Sequence, residues 1–172
     1  PEAPPPAPVP PAAPGDSGAV SWTMIILAGV FAATWFVSAA MASHLPRLLQ
    51  AMGATPVAAV AAAALVGPAQ VAARVAEFTL MRRASPLLSA RVATVMHPIG
   101  AAILAIVGAP AAVTFVMLHG GGNGIMTIAR GTLPLALFGP ASYGLRTGIL
   151  VMPTRILQGG APLVFQLVLA DA

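Results

Sequence analysis

From Trp22 to Ala170 the chain reads as five long apolar stretches, at about residues 22–43, 55–77, 91–109, 111–130 and 147–170. Each is close to the roughly 20 residues that a helix needs to cross a hydrocarbon layer of about 30 Å. The runs do not alternate apolar with polar positions as barrel strands must, so five transmembrane helices are predicted. The strongly polar residues inside them fall on helical stripes. On the second span Gly67, Gln70, Arg74 and Glu77 are spaced by three, four and three residues, which puts them on one face. His119, Asn123, Thr127 and Arg130 repeat the pattern on the fourth span, and Thr147, Arg155, Gln158, Pro162 and Gln166 on the fifth.

A charge at membrane depth costs at least about 2.5 kcal/mol, so these faces are expected to meet a bundle interior or a water-filled cavity. The plainer alternative is that Gln and Thr act as glue between helices and that Arg74, Arg130 and Arg146 reach back to the interface. Convergence of three stripes favours a shared polar interior, with Gln70, Asn123, Thr127, Arg155 and Gln158 as cavity candidates. Trp35 and Ser38 are the candidates on the first span. Arg155 lies nine residues beyond Arg146, about 13 Å toward the midplane, and is the charge that anchoring explains least easily. Arg74 and Glu77 stand at helical spacing and are expected to form an ion pair. Any proton coupling would have to run through Glu77, His97 or His119.

Composition supports lipid as the main solvent: 58% of residues are hydrophobic and 7% charged, against about half and about a quarter in soluble domains. There is no cysteine, which excludes disulfides and thiolate metal sites. The net charge of +4 rests on arginine alone, at span ends and within spans, leaving no basic face for nucleic acid. Arg82, Arg83, Arg91, Arg130 and Arg146 fall on one side and Arg47 on the other, so the first side is assigned to the cytoplasm. Trp22 and Tyr143 fit as interfacial anchors there. Residues 1–20, rich in Pro and Ala, read as a cytoplasmic linker, and 21–172 as a transmembrane bundle. No basic segment precedes an early apolar core, so a signal peptide is not expected. Further spans are expected upstream and one downstream. The alanine and arginine richness points to a GC-rich bacterial genome and hence an inner membrane.

Glycine and proline are expected to interrupt the spans at Gly67-Pro68, His97-Pro98 and Gly159-Gly160 with Pro162. The cluster of Gly120, Gly121, Gly122 and Gly124 lacks the lysine and hydroxyl residue of a phosphate loop. Gly120 and Gly124, and the alanine-rich run from Ala58 to Ala64, read instead as smooth surfaces for close helix packing. No nucleophile stands beside a base, no paired acids or metal ligands occur at usable depth, and Ser142 has no serine-elbow context. Catalysis, a metal and a cofactor are therefore not expected.

The order of elements resembles the C-terminal half of a major facilitator superfamily transporter. The first span ends in Ser43-His44-Leu45-Pro46, with a short external helix through Met52-Gly53. Next come Gly67-Pro68-Ala69-Gln70-Val71-Ala72-Ala73-Arg74 and an arginine-bearing loop. The stretch from Gly121 through Asn123-Gly124-Ile125-Met126-Thr127-Ile128-Ala129-Arg130-Gly131-Thr132-Leu133-Pro134 to Leu137-Phe138-Gly139 is similar to bacterial permeases of that superfamily. The resemblance implies that the five spans match the seventh to eleventh of twelve. It also implies that the first, second, fourth and fifth border a central cavity or its gates while the third packs outside. Arg74, Glu77, Arg82, Arg83 and Arg130 are the gating or ion-pair candidates. The superfamily's loop motif, a glycine and an acid followed by Arg-x-Gly-Arg, is only partly kept: Glu77 is followed by Phe78-Thr79-Leu80-Met81-Arg82-Arg83, without the glycine. The implied activity is alternating-access transport of a small solute, which needs a partner N-terminal bundle. The competing class is a non-catalytic structural subunit of a membrane complex.

Overall fold

A computed structural model describes residues 20–81, 85–140 and 143–170. Those residues form helices without strands: α1 (Trp22–Ala51), α2 (Pro56–Ala64), α3 (Val66–Ala76), α4 (Pro86–Val107), α5 (Ala112–Phe138) and α6 (Tyr143–Ala170). A π turn, Glu77–Met81, extends α3, and a 3₁₀ turn, Ala109–Ala111, leads into α5. With α2 and α3 taken together, five helices are long and apolar enough to cross a membrane. Large apolar side chains cover the outside, Val57, Leu80 and Ile106 each at least 81% exposed. In water such a surface would drive association; against acyl chains it is at rest. The linker at 1–20 lies almost wholly outside the described residues, as do Arg82 and Arg83.

The helices run past the ends expected from the sequence. α1 continues through Pro46 to Ala51 as one helix of 30 residues, so the separate external helix expected through Met52-Gly53 is not formed. Arg91 sits in the second turn of α4 and Arg146 in the first turn of α6, its guanidinium over the Phe138 ring, so an arginine near a helix end does not stop the helix. The expected interruptions at Pro98 and at Gly159-Gly160-Pro162 are absent, and both helices pass through. A single interior proline removes one backbone bond and bends a helix without having to unwind it. The second span does break, at Leu65, one turn before Pro68. The ring of Pro68 crowds the carbonyl four residues back, and Leu65 N–H turns to Ala62 O at 3.0 Å.

α5 is the central helix, packed between α3 and α4, while α1 packs along α6. Its glycines explain how three helices come so close. A Cβ on Gly124 would lie 2.5 Å from Gln70 O, and one on Gly120 2.8 Å from both Val66 O and Ala69 Cβ, so this pair faces α3. Gly121 and Gly122 face α4, where a Cβ would meet Met96 or His97 at 2.6 Å. The small-residue packing expected at Gly120 and Gly124 is thus present, and its neighbours supply a second smooth face.

Two apolar clusters fill the interior. Met24, Leu27 and Phe31 of α1 gather with Ala93, Ile125, Met126, Leu133 and Leu150 toward the end that carries Trp22 and Tyr143. Met41, Leu45 and Leu49 gather with Ala59, Leu104, Phe115, Val116 and Ala161 toward the other. The turns at that second end are joined by a backbone bond, Ala109 N–H to Met52 O at 2.9 Å. Gly108, at φ 72° and ψ −148°, makes the turn possible. Gly108→Ala is expected to cost about 1–3 kcal/mol, read as a lowered melting temperature of the purified protein.

Candidate functional site

Between the two apolar clusters, at the middle of the bundle, lies a polar layer. On α5 it occupies His119 to Thr127, flanked by Val116 on one side and Ala129 on the other. Asn123 is its hub. The Asn123 amide oxygen contacts Ser38 Oγ at 2.5 Å and His97 Nε2 at 3.2 Å, and its Nδ2 lies 3.1 Å from His119 Nε2. Three polar side chains, from α1, α4 and α5, are therefore held by one amide. Asn123 is 8% exposed and His119 3%, while Ser38 and His97 are partly buried.

The donor and acceptor roles can be worked out. His97 Nδ1 lies 2.9 Å from Ala93 O, which only a protonated nitrogen satisfies, so in a neutral ring Nε2 is an acceptor. It needs the amide nitrogen opposite it. Turning the Asn123 amide over would supply it, but would set an amide nitrogen 2.5 Å from Ser38 Oγ, a separation that suits an O–H donor and not an N–H, so Ser38 donates to Asn123 Oδ1. His119 also stacks on Phe115 with ring centroids 5.8 Å apart.

Beside this network opens a cleft of about 340 Å³, lined by Trp35, Ser38, Gln70, Arg74, His119, Asn123, Thr127 and Gln158 together with small apolar neighbours. Its walls come from α1, α3, α5 and α6, and no residue of α4 lines it. Six of the seven residues expected at a cavity meet here: Trp35, Ser38, Gln70, Asn123, Thr127 and Gln158. Arg155 does not line it. It stands exposed on α6, beside the cleft, and its Nη1 donates to Gln158 Oε1 at 3.3 Å. Three residues separate it from Gln158, roughly 60° around the helix, enough to put one in the wall and the other next to it.

Among the gating or ion-pair candidates, Arg74 lines the cleft and donates to Gln70 Oε1 at 3.4 Å. Glu77 accepts from Ser89 Oγ of α4 at 3.1 Å. The expected Arg74–Glu77 pair is not formed, since the Glu77 side chain joins α4 while Arg74 turns to the cleft. Arg130 lies over the ring of Trp35, 5.4 Å from its centroid. Arg82 and Arg83 fall outside the described residues.

Two residues matter more than the spacing suggested. His97 belongs to the span with the least developed polar stripe, and it joins the network from behind α5. A lone histidine beside a proline was its only signal. His44 Nε2 lies 3.0 Å from Pro162 O and ties α1 to α6. No family model, curated protein or solved structure matches the chain.

Proposed function

We propose that the chain forms one bundle of a secondary transporter that moves a small solute by alternating access, its cleft opening toward a partner bundle. This is the reading to which the resemblance to the C-terminal half of a major facilitator permease leads. The observation that carries it is the polar cleft at mid-depth, walled by four spans, between two apolar clusters that can act as plugs. Discontinuity in the second span at Leu65, near the cleft, suits the same role. On this reading the arginine-bearing Trp22 end faces the cytoplasm, of a bacterial inner membrane under the compositional argument. A second reading draws on the burial of Asn123 and His119. There the polar groups serve as interhelical glue in a non-catalytic structural subunit.

Cysteine substitution separates the two. In the full-length protein in native membranes, Gln70→Cys, Thr127→Cys and Gln158→Cys are expected to react with a small hydrophilic thiol reagent, and Asn123→Cys to react more slowly. Protection of all four, with the reagent supplied from either side, would favour the structural subunit.

A further inference from the structure

We propose that the cleft binds an oxyanion, a small solute bearing a carboxylate or phosphate group. This deepens the transport reading by naming the class of solute. Its basis is an imbalance of charge and of donors. Three guanidiniums surround one small space: Arg74 in the wall, Arg130 over the Trp35 ring, and Arg155 bonded to Gln158. Between them they make two side-chain hydrogen bonds, at 3.4 and 3.3 Å, long for charged donors that normally sit at about 2.7–2.9 Å. The only carboxylate among the described residues, Glu77, is bonded to Ser89 on α4.

The side-chain amides in the wall are already engaged. Gln70 Oε1 and Gln158 Oε1 face the arginines, and the Asn123 amide serves Ser38 and the histidines. Two buried donors of lining residues have no partner at all, Arg74 Nε and Trp35 Nε1. A cationic solute brings neither a counter-charge for the arginines nor an acceptor for those two donors. An oxyanion supplies both, and the planar guanidinium fork matches carboxylate and phosphate geometry. A volume of about 340 Å³ suits a small organic acid or phosphate ester.

The test uses the full-length protein in a neutral detergent at constant ionic strength, with chloride as reference. Melting is followed with inorganic phosphate, succinate, glucose and choline at equal concentrations. Phosphate or succinate is expected to raise the melting temperature saturably, since a ligand of the native state stabilises it; glucose and choline are not. Arg74→Gln is expected to weaken the apparent affinity about tenfold or more, and Arg74→Lys to recover only part. Arg155→Gln, at an exposed position that folding does not depend on, is expected to weaken it less. A rise with phosphatidylglycerol micelles alone, equally dependent on Arg74, would assign the oxyanion to a lipid headgroup. No response beyond chloride, or unchanged affinity in both Arg74→Gln and Arg155→Gln, overturns the proposal. Uptake into phosphatidylcholine vesicles is scored separately. Binding of an anion without uptake removes the transport reading and leaves this one, and uptake of glucose without anion binding does the reverse.

Discussion

Leucine at position 124 is expected to push α5 away from α3 and to lower the melting temperature more than Asn123→Leu or Gly108→Ala does. Even a Cβ at that position would stand 2.5 Å from Gln70 O and 3.0 Å from Gln70 Cα, and both are backbone atoms that no rotamer change can move. Overpacking of this kind costs about 1–3 kcal/mol where side chains can yield. Here the helix itself must shift, so about 3 kcal/mol is a lower bound, or roughly 6–12 °C for a chain of this size. The displacement also pulls Gln70 and Arg74 away from Thr127. Gly67→Ala is the control. Nothing lies within 4 Å of its added Cβ, and alanine is the better helix former, so melting should hold or rise slightly. Equal melting temperatures for Gly124→Leu and the wild type would refute the close contact of α5 with α3.

Asn123→Leu is expected to have the next largest effect, for a chemical reason rather than a steric one. Leucine fills the space but takes away the partner of His97 Nε2, of His119 Nε2 and of the Ser38 hydroxyl. Each buried polar group left unmatched costs about 1–3 kcal/mol. The loss should therefore reach about 3 kcal/mol, measured by thermal or denaturant unfolding of the purified protein. Removing a stranded partner should return part of it, so Asn123→Leu with His97→Leu is expected to be more stable than Asn123→Leu alone. Additive losses in the double variant would mean that the amide does not hold His97.

Much of the fold was legible in the sequence, and the exceptions have physical causes. Span number followed from run length, because an apolar run near 20 residues has few alternatives. Span ends did not, because an arginine such as Arg91 or Arg146 looks like a loop residue yet is comfortable near a helix end. Gln70, Asn123 and Thr127 were placed by three- and four-residue spacing, which rotates little around a helix. Arg155 fell beside the cleft because the fifth stripe is a wide band, and residues at its edges look in different directions. The Arg74–Glu77 pair failed since spacing says that two side chains can meet, while α4 supplied Ser89 as a competing partner. His97 was hidden for a simpler reason. A single polar residue makes no stripe, and only the packing of α4 on Gly122 brings it to Asn123.

The positive charge around the cleft is all guanidinium, and that fixes how the site responds to acidity. A guanidinium stays protonated throughout the range in which cells live, so the attraction these groups exert does not fade or grow with external pH.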